Sequence, residues 1–316
     1  MKRIASIDIG SQTIRLLIAD CNARALYPRE RDREIVRLGS GMQDDGMLQP
    51  DRIEQAAACM QLFYERARRQ DAGEILAVAT ACVRQARNQR TFLERVQGAC
   101  GHMPDVLDGR REAWLACCGV LGSIKCPAPS SVIIDIGGGS TELAAVAYGS
   151  FQHSVSLPIG VIAASERFMR SDPPSEEDIA ALREWIQHKL TDLAAHYSQT
   201  FRNAGSALIA TAGTATTLAA MDLRLGSYLP DLINGHVLTG AAISALLDDM
   251  VSKPLVQRSL MPGLEPGRAA VIIAGAMILQ QLMLFFKSAD CTVSDSGLLE
   301  GIILDHASIK RIIEKS

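Results

Sequence analysis

A chain of 316 residues of which 48% are hydrophobic can bury a sizeable core, and at a usual domain size of roughly 100–150 residues it is expected to form two domains. Its formal charge of −3 supplies no global basic field, which argues against duplex nucleic acid as a partner and leaves any polyanion to be held by local groups. The eight cysteines are scattered, with no Cys-x-x-Cys pair and no His at metal-ligand spacing, so they read as reduced core thiols rather than as a zinc site or a secreted disulfide framework.

The segment Met1 to Thr13 turns polar before an apolar stretch of signal-peptide length has formed, which points to the cytoplasm. Arg3 to Ile9 is rich in β-formers, Gly10-Ser11-Gln12-Thr13 has turn chemistry, and Ile14 to Ala19 resumes an apolar run too short for a helix, so a hairpin is expected. Another strand is expected near Glu34 to Leu38. Asp51 to Arg69 spaces Ile53, Ala56, Ala57, Met60, Phe63 and Tyr64 as one buried face of a helix. A buried strand at Ile75 to Ala79, a helix at Gln89 to Ala99, a strand at Asp105 to Leu107 and a helix opening near Gly109 follow.

The stretch Gly122 to Ser131, with Pro127 and Pro129, breaks the pattern and sets domains at 1–124 and 125–301, with a helix from about 302 to 316 packing back on the first. Beyond it the opening pattern returns: strand Ser131 to Ile136, turn Gly137 to Ser140, strand Thr141 to Ala147. Two copies of strand, Asp-Ile-Gly, small-residue turn and strand predict two related β/α domains, each presenting its turn to a shared cleft. The remainder alternates helices (Glu176 to Tyr197, Thr214 to Met221, Thr239 to Val251, Arg268 to Phe286, Gly297 to His306) with strands near Ala207 to Ala210 and Cys291 to Ser294. The apolar run Ala269 to Phe286 reaches the ~18 residues at which a membrane span is considered, but Gln280 and Gln281 lie inside it and Lys287 follows, so a buried helix and no membrane are expected.

Several short segments could carry chemistry. Around Gly10 the backbone can turn N–H groups into a concavity, because glycine lacks the Cβ that would block a ligand oxygen, and Ser11 and Thr13 add hydroxyl donors. Asp8, at the strand end, cannot meet an anion without a cation between them, and magnesium is the natural bridge. A plain hairpin turn is the bland alternative. Gly137-Gly138-Gly139-Ser140 is harder to explain that way, since three successive glycines are entropically costly. Asp135 and Glu142 flank this turn and are brought toward one metal or one attacking water. Gly213 and Thr214 open a helix after a strand, an arrangement that aims amides at an anion, although an ordinary strand-to-helix turn explains them equally well. Arg15, Arg84 and Arg268 could fork onto phosphate oxygens or form ordinary ion pairs.

The turns and the strand–helix rhythm resemble the superfamily of actin, hexokinase and the heat-shock ATPases. Within it the chain is similar to the exopolyphosphatase and guanosine pentaphosphate phosphohydrolase family, on Asp8 to Arg15, Thr80 to Ala86, Gly109 to Ala113, Asp135 to Glu142, Pro158-Ile159-Gly160, Ala212 to Thr214, Leu260 to Leu264 with Arg268, and Ser294 to Gly297 with Glu300-Gly301. The Gly-Gly-Gly-Ser-Thr-Glu turn paired with Thr-x-x-x-Arg-x-Ala is the specific part. The resemblance implies an α/β fold of two related ribonuclease H-like domains with an interdomain cleft. It further implies hydrolysis of the terminal phosphoanhydride of inorganic polyphosphate or guanosine pentaphosphate, with guanosine tetraphosphate as a related ligand. Glu112 takes the place of the general base, Asp135 and Glu142 hold Mg2+ and place the water, and Asp8 is a further metal-side carboxylate. Gly10, Ser11, Thr13, Arg15, Arg84, Gly137, Gly138, Gly139, Ser140, Gly213, Thr214 and Arg268 bind phosphate. A monovalent cation and a homodimer are compatible with this reading.

Two departures stand out: Arg111-Glu112 where the family commonly has two glutamates, and Gln12 where it commonly has Asn. An arginine beside the base would favour its ionised form or grip an extra phosphate. Longer family members append a helical region for which this chain has no room, so cleavage of shorter chains is expected. A small-molecule kinase of the same superfamily, and a sensor that binds guanosine tetraphosphate or polyphosphate without turnover, remain as rival readings.

Overall fold

The computed structural model describes residues 1–22, 25–42, 45–124, 126, 128–204 and 207–307, with 194–204 described by their backbone. Pro127 and the expected helical stretch 308–316 lie outside the described residues. The chain divides into two compact units, Met1–Gly122 together with the segment from Gly297 onward, and Ser123–Ser296.

The first unit runs β1 (Lys2–Ile9), β2 (Ile14–Cys21), β3 (Leu26–Glu34), α1 (Pro50–Arg69), β4 (Glu74–Ala79), α2 (Ala81–Gln85), α3 (Gln89–Cys100), β5 (Asp105–Val106) and α4 (Gly109–Ser123). Its sheet has the order β3-β2-β1-β4-β5, with β1, β2 and β3 antiparallel and β4 and β5 parallel to β1. Strand β1 is buried from Ile4 to Ile9, so its apolar residues feed two layers by simple alternation. Ala5, Ile7 and Ile9 join Ile14, Leu16 and Ile18 in a core closed by Ala56, Met60 and Phe63 of α1 and Phe92 of α3. Ile4, Leu17 and Ala19 face the other way.

The strand expected at Glu34 to Leu38 is displaced. Strand β3 ends at Glu34, and Val36 and Leu38 are buried in the core while the backbone between them turns back toward the first hairpin turn. An outer strand reading Tyr-Pro-Arg-Glu-Arg-Asp-Arg-Glu has no apolar alternation and is held by its ladder to β2, whereas Val36 and Leu38 are drawn out of the sheet by burial.

The second unit runs β6 (Ser130–Ile136), β7 (Thr141–Ala147), β8 (Ser150–Leu157), α5 (Val161–Phe168), α6 (Glu176–Ala204), β9 (Leu208–Thr211), α7 (Ala212–Asp222), α8 (Pro230–Ile233), β10 (Val237–Thr239), α9 (Gly240–Val251), α10 (Leu255–Arg258), a 3-10 turn at Pro266–Arg268, α11 (Ile272–Phe285) and β11 (Asp290–Val293). Its sheet order is β10-β11-β9-β6-β7-β8. Strands β6, β7 and β8 are antiparallel and β9 is parallel to β6, which repeats the arrangement of β1, β2, β3 and β4. The expected α/β class with two related domains is thus present as two mixed sheets of like topology. The chain then enters α12 (Leu298–His306), which packs on β1 and β2 of the first unit through Leu299 and Ile303.

The apolar run at Ala269 to Phe286 becomes the 3-10 turn and the buried helix α11. Its glutamines are satisfied by neighbours: Gln187 of α6 donates to Gln281, and Gln280 donates to Ser244 of α9, both at 2.9 Å. Among the described residues no helix is long and apolar enough to cross a membrane. All eight cysteines are free, seven of them buried.

Candidate functional site

In the first unit the turn between β1 and β2 is closed by the Gly10 amide donating to the Thr13 carbonyl at 3.0 Å. Asp8 and Arg15 are direct partners across the two strands, and Arg15 Nη2 lies 2.6 Å from Asp8 Oδ2. The arginine that the sequence offers to substrate therefore neutralises the carboxylate it offers to metal. The other oxygen, Asp8 Oδ1, is buried with no hydrogen-bond partner, a costly state unless a donor or a cation serves it.

A segment missed in the sequence lines the same turn. Arg37 donates from its backbone to Gln12 O, and Gly39 to Ser11 O, each at 2.9 Å. Arg37 holds φ of 55°, rare for a residue with a side chain. A Cβ on Gly39 would press on Ser11 Cβ at 3.0 Å, so close backbone approach is what keeps glycine here. Cys82 lies beside them, and burial pushes its thiol up to about 11.

Glu112 sits in the first turn of α4 and is buried. The helix start is fixed by Asp108, whose Oδ1 accepts the Arg111 amide at 2.7 Å as an N-cap. Arg84 Nη1 donates to Glu112 Oε2 at 2.8 Å and to Leu107 O at 2.6 Å. Arg111, expected beside the base, is turned away: its guanidinium pairs with Asp305 of α12 and is half exposed. Successive residues on a helix point about 100° apart, so adjacency in sequence does not put Arg111 against Glu112.

In the second unit the turn between β6 and β7 is closed in the same way, with the Gly137 amide donating to Ser140 O at 2.9 Å. Asp135 and Glu142 are direct cross-strand partners, in the places that Asp8 and Arg15 hold in the first unit, and both are buried. Where the first turn pairs opposite charges, the second sets two carboxylates side by side. Glu142 Oε1 accepts from the hydroxyls of Ser140 at 2.6 Å and Ser156 at 2.7 Å.

The carbonyls of the triple-glycine turn have partners that the sequence reading did not supply. At the start of α5, Val161 donates to Gly137 O and Ile162 to Gly138 O, both at 3.0 Å. A trans peptide sets its N–H opposite its C=O, so the amides of Gly138 and Gly139 face away from α5. They form an outward-facing donor edge of the kind that can receive an anion. Gly160 makes this packing fit, since a Cβ there would come within 2.5 Å of the Gly138 carbonyl carbon. The signal was present as Pro158-Ile159-Gly160, but a contact 22 positions away in sequence is not readable from spacing.

Nearby, β9 ends at Thr211, which is in register with Asp135, and the chain enters α7 through Ala212 at φ 65°. The Thr214 hydroxyl donates to Ile136 O at 3.3 Å. Arg268 is buried, its Nε is 3.2 Å from Glu265 Oε2, and its guanidinium covers Gly213 so closely that a Cβ there would meet Cζ at 2.5 Å. Gly213, Thr214, Arg268 and the triple-glycine turn are therefore assembled by the carboxyl ends of β6 and β9, the edge at which open α/β sheets bind ligands. Among the described residues no group of three His, Cys, Asp or Glu side chains forms a self-sufficient metal site.

The model of the Ppx/GppA phosphatase family matches residues 17–309. Exopolyphosphatase 2 of Mycobacterium tuberculosis is 29% identical over 97% of this chain and 99% of that protein. The crystal structure of the Aquifex aeolicus member of the Ppx/GppA family is 32% identical, with a TM-score of 0.81 and 98% of each chain covered. An exopolyphosphatase from Cytophaga hutchinsonii shares the fold at a TM-score of 0.89 and 24% identity, covering 97% of this chain and 98% of that one. Both the family model and the Aquifex protein reach across nearly the whole of this sequence, and the chain belongs to the Ppx/GppA phosphatase family.

Proposed function

We propose that this chain is a phosphohydrolase that releases the terminal phosphate of inorganic polyphosphate, and of guanosine pentaphosphate, by in-line attack of water. The observation that carries the reading is the pair Asp135 and Glu142, buried side by side beside a turn whose amides are aimed outward. Like charges directly opposite across two strands are destabilising, and a cation with a polyphosphate offsets that cost. The exopolyphosphatases among the relatives support the substrate class.

The amides of Gly138 and Gly139, the N-terminal turn at Gly213 and Thr214, and the Arg268 guanidinium hold phosphate oxygens through charge-assisted hydrogen bonds. The Gly10 turn with Ser11 and Thr13 supplies further donors. Glu112 orients the water and takes its proton as the new oxygen–phosphorus bond forms. The bridging phosphorus–oxygen bond then breaks, and the departing phosphate chain keeps the electron pair.

The residues fit a magnesium ion. Asp8 Oδ1 is a buried carboxylate oxygen without a hydrogen-bond partner, and Asp135 and Glu142 offer a second acidic edge. Magnesium is commonly held by one or two carboxylates, with water and substrate phosphates completing its shell, so the absence of a three-residue cluster among the described residues does not weigh against it. When bound, the ion neutralises phosphate charge.

Phosphate release from polyphosphate and from guanosine pentaphosphate, with and without magnesium, tests the reading on the native chain and on Glu112→Gln. The variant is expected to lose at least about two orders of magnitude in kcat, the scale of general-base catalysis. Near-native rates in the variant refute Glu112 as the base. Transfer of phosphate to an added alcohol would instead indicate a kinase, and tight binding without turnover a sensor.

A further inference from the structure

We infer that Arg84 is a positioning residue for the base rather than a clamp for substrate phosphate. The inference rests on the assignment of Glu112 above and changes the role that the sequence gives to Arg84. Its Nη1 is held at both ends of a fixed path, by Leu107 O at 2.6 Å and by Glu112 Oε2 at 2.8 Å. The Arg84 and Glu112 side chains are 22% and 9% exposed, so solvent weakens this pair far less than a surface ion pair.

The backbone beneath Arg84 is equally constrained. The Thr80 amide donates to Ile9 O at 3.2 Å, the Arg84 amide donates to Thr80 O at 2.9 Å, and the Leu107 amide donates to Ala79 O at 2.9 Å. Ile9 is the residue before Gly10. An unbroken run of hydrogen bonds therefore ties the first phosphate turn, through Thr80 and Arg84, to the carboxylate of Glu112. The short helix α2 places Arg84 at the end of β4, between the turn after β1 and the approach to α4.

A guanidinium held to one carboxylate oxygen limits the directions in which the group can turn. The pairing gives Oε2 to orientation. Arg84 also keeps Glu112 as an acceptor, because the same Nη1 can donate to it but never accept. The Thr-x-x-x-Arg spacing follows directly: Thr80 anchors to the turn, and Arg84, one helical turn later, reaches the base.

The experiment is steady-state phosphate release from a polyphosphate of defined length by the full chain. It compares wild type with Arg84→Ala, Arg84→Lys, Glu112→Gln and the double variant Arg84→Ala/Glu112→Gln, with a thermal unfolding curve for each. If Arg84 positions the base, Arg84→Ala lowers kcat by roughly 100-fold, the scale of an ångström-sized misplacement of a catalytic group, while KM stays within about twofold. Arg84→Lys recovers part of the rate, because it keeps the charge but not the fork. On the Glu112→Gln background the alanine change costs less than about threefold, since the group it positions has already gone. Should Arg84→Ala unfold, the Arg84→Lys variant carries the same comparison.

A rise in KM with kcat preserved, shrinking relative to wild type as salt is raised, overturns the inference and restores a phosphate clamp. Full additivity of the two substitutions also overturns it. Near-native turnover by Glu112→Gln is a different failure, because it removes the base assignment itself.

Discussion

Replacing Gly160 with alanine perturbs the triple-glycine turn without replacing any residue proposed to meet substrate. The added Cβ would stand 2.5 Å from the Gly138 carbonyl carbon, against an ordinary limit of about 3.4 Å, so the turn or the start of α5 must retreat by at least about 0.9 Å. Both partners are main chain, and no side chain can rotate aside. The retreat also stretches the Val161 and Ile162 hydrogen bonds that aim the Gly138 and Gly139 amides. Strain of this kind costs about 1–3 kcal/mol of stability, and a displacement near one ångström costs on the order of 100-fold in rate. Gly160→Ala is therefore expected to stay folded, to melt a few degrees lower, and to lose most of its phosphate release. Calorimetry and a phosphate-release assay on the same preparation decide the matter. Turnover within about threefold of wild type, with an unchanged melting temperature, would refute the argument that the amide edge depends on this contact.

Gly213→Ala drives a methyl group into the Arg268 guanidinium, and loss of one charge-assisted contact raises KM by roughly tenfold or more; an unchanged KM would remove Arg268 from substrate binding. Arg3, the leading cause, and Arg29 hold the Asp20 carboxyl down at about 2 against an ordinary 3.8. The folded value lies below the unfolded one, so this stabilisation is complete above about pH 4 and disappears as pH falls from 3.8 toward 2. Melting temperature followed from pH 5 to pH 2 should fall more steeply for wild type than for Asp20→Asn, and parallel curves would contradict the pairing. Cys82, with its thiol pushed up to about 11 by burial, should resist iodoacetamide at pH 7.5 in the native protein and react once unfolded. Mass spectrometry of labelled peptides reads this directly.

Both glycine turns are legible in the sequence because glycine, hydroxyl and carboxylate residues cluster within eight positions of each other and repeat after the boundary. Helix α1 was legible for a different reason, the regular burial of Ile53, Met60 and Phe63. Strand β3 was not, since a charged outer strand is held by backbone pairing that leaves no apolar period. Elements β8 and α5 are not legible either, and with them the packing of the glycine turn, because Gly160 acts on residues two strands earlier in the chain. The direction of the arginines was equally hidden. Arg15 and Arg84 stand out in the sequence by their chemistry, and only the fold reveals that each already faces a carboxylate, whereas Arg111 faces Asp305. Residue type offers the candidate groups, and register decides which neighbour each one meets.

The helix that carries Glu112 meets α12 backbone to backbone at two glycines. A Cβ on Gly119 would come within 2.7 Å of the Gly297 carbonyl carbon, and one on Gly301 within 2.6 Å of that of Leu115. Main chain lies on main chain, so the spacing of α4 from α12 is inherited from backbone geometry rather than negotiated by packing. Drift in the surrounding apolar residues can change how firmly the unit holds together without moving the base. The two glycines give no such latitude. A lineage could thus explore new loops and new substrates for a long time while the position of its proton acceptor stayed fixed, and a single methyl at either site would end that freedom at once.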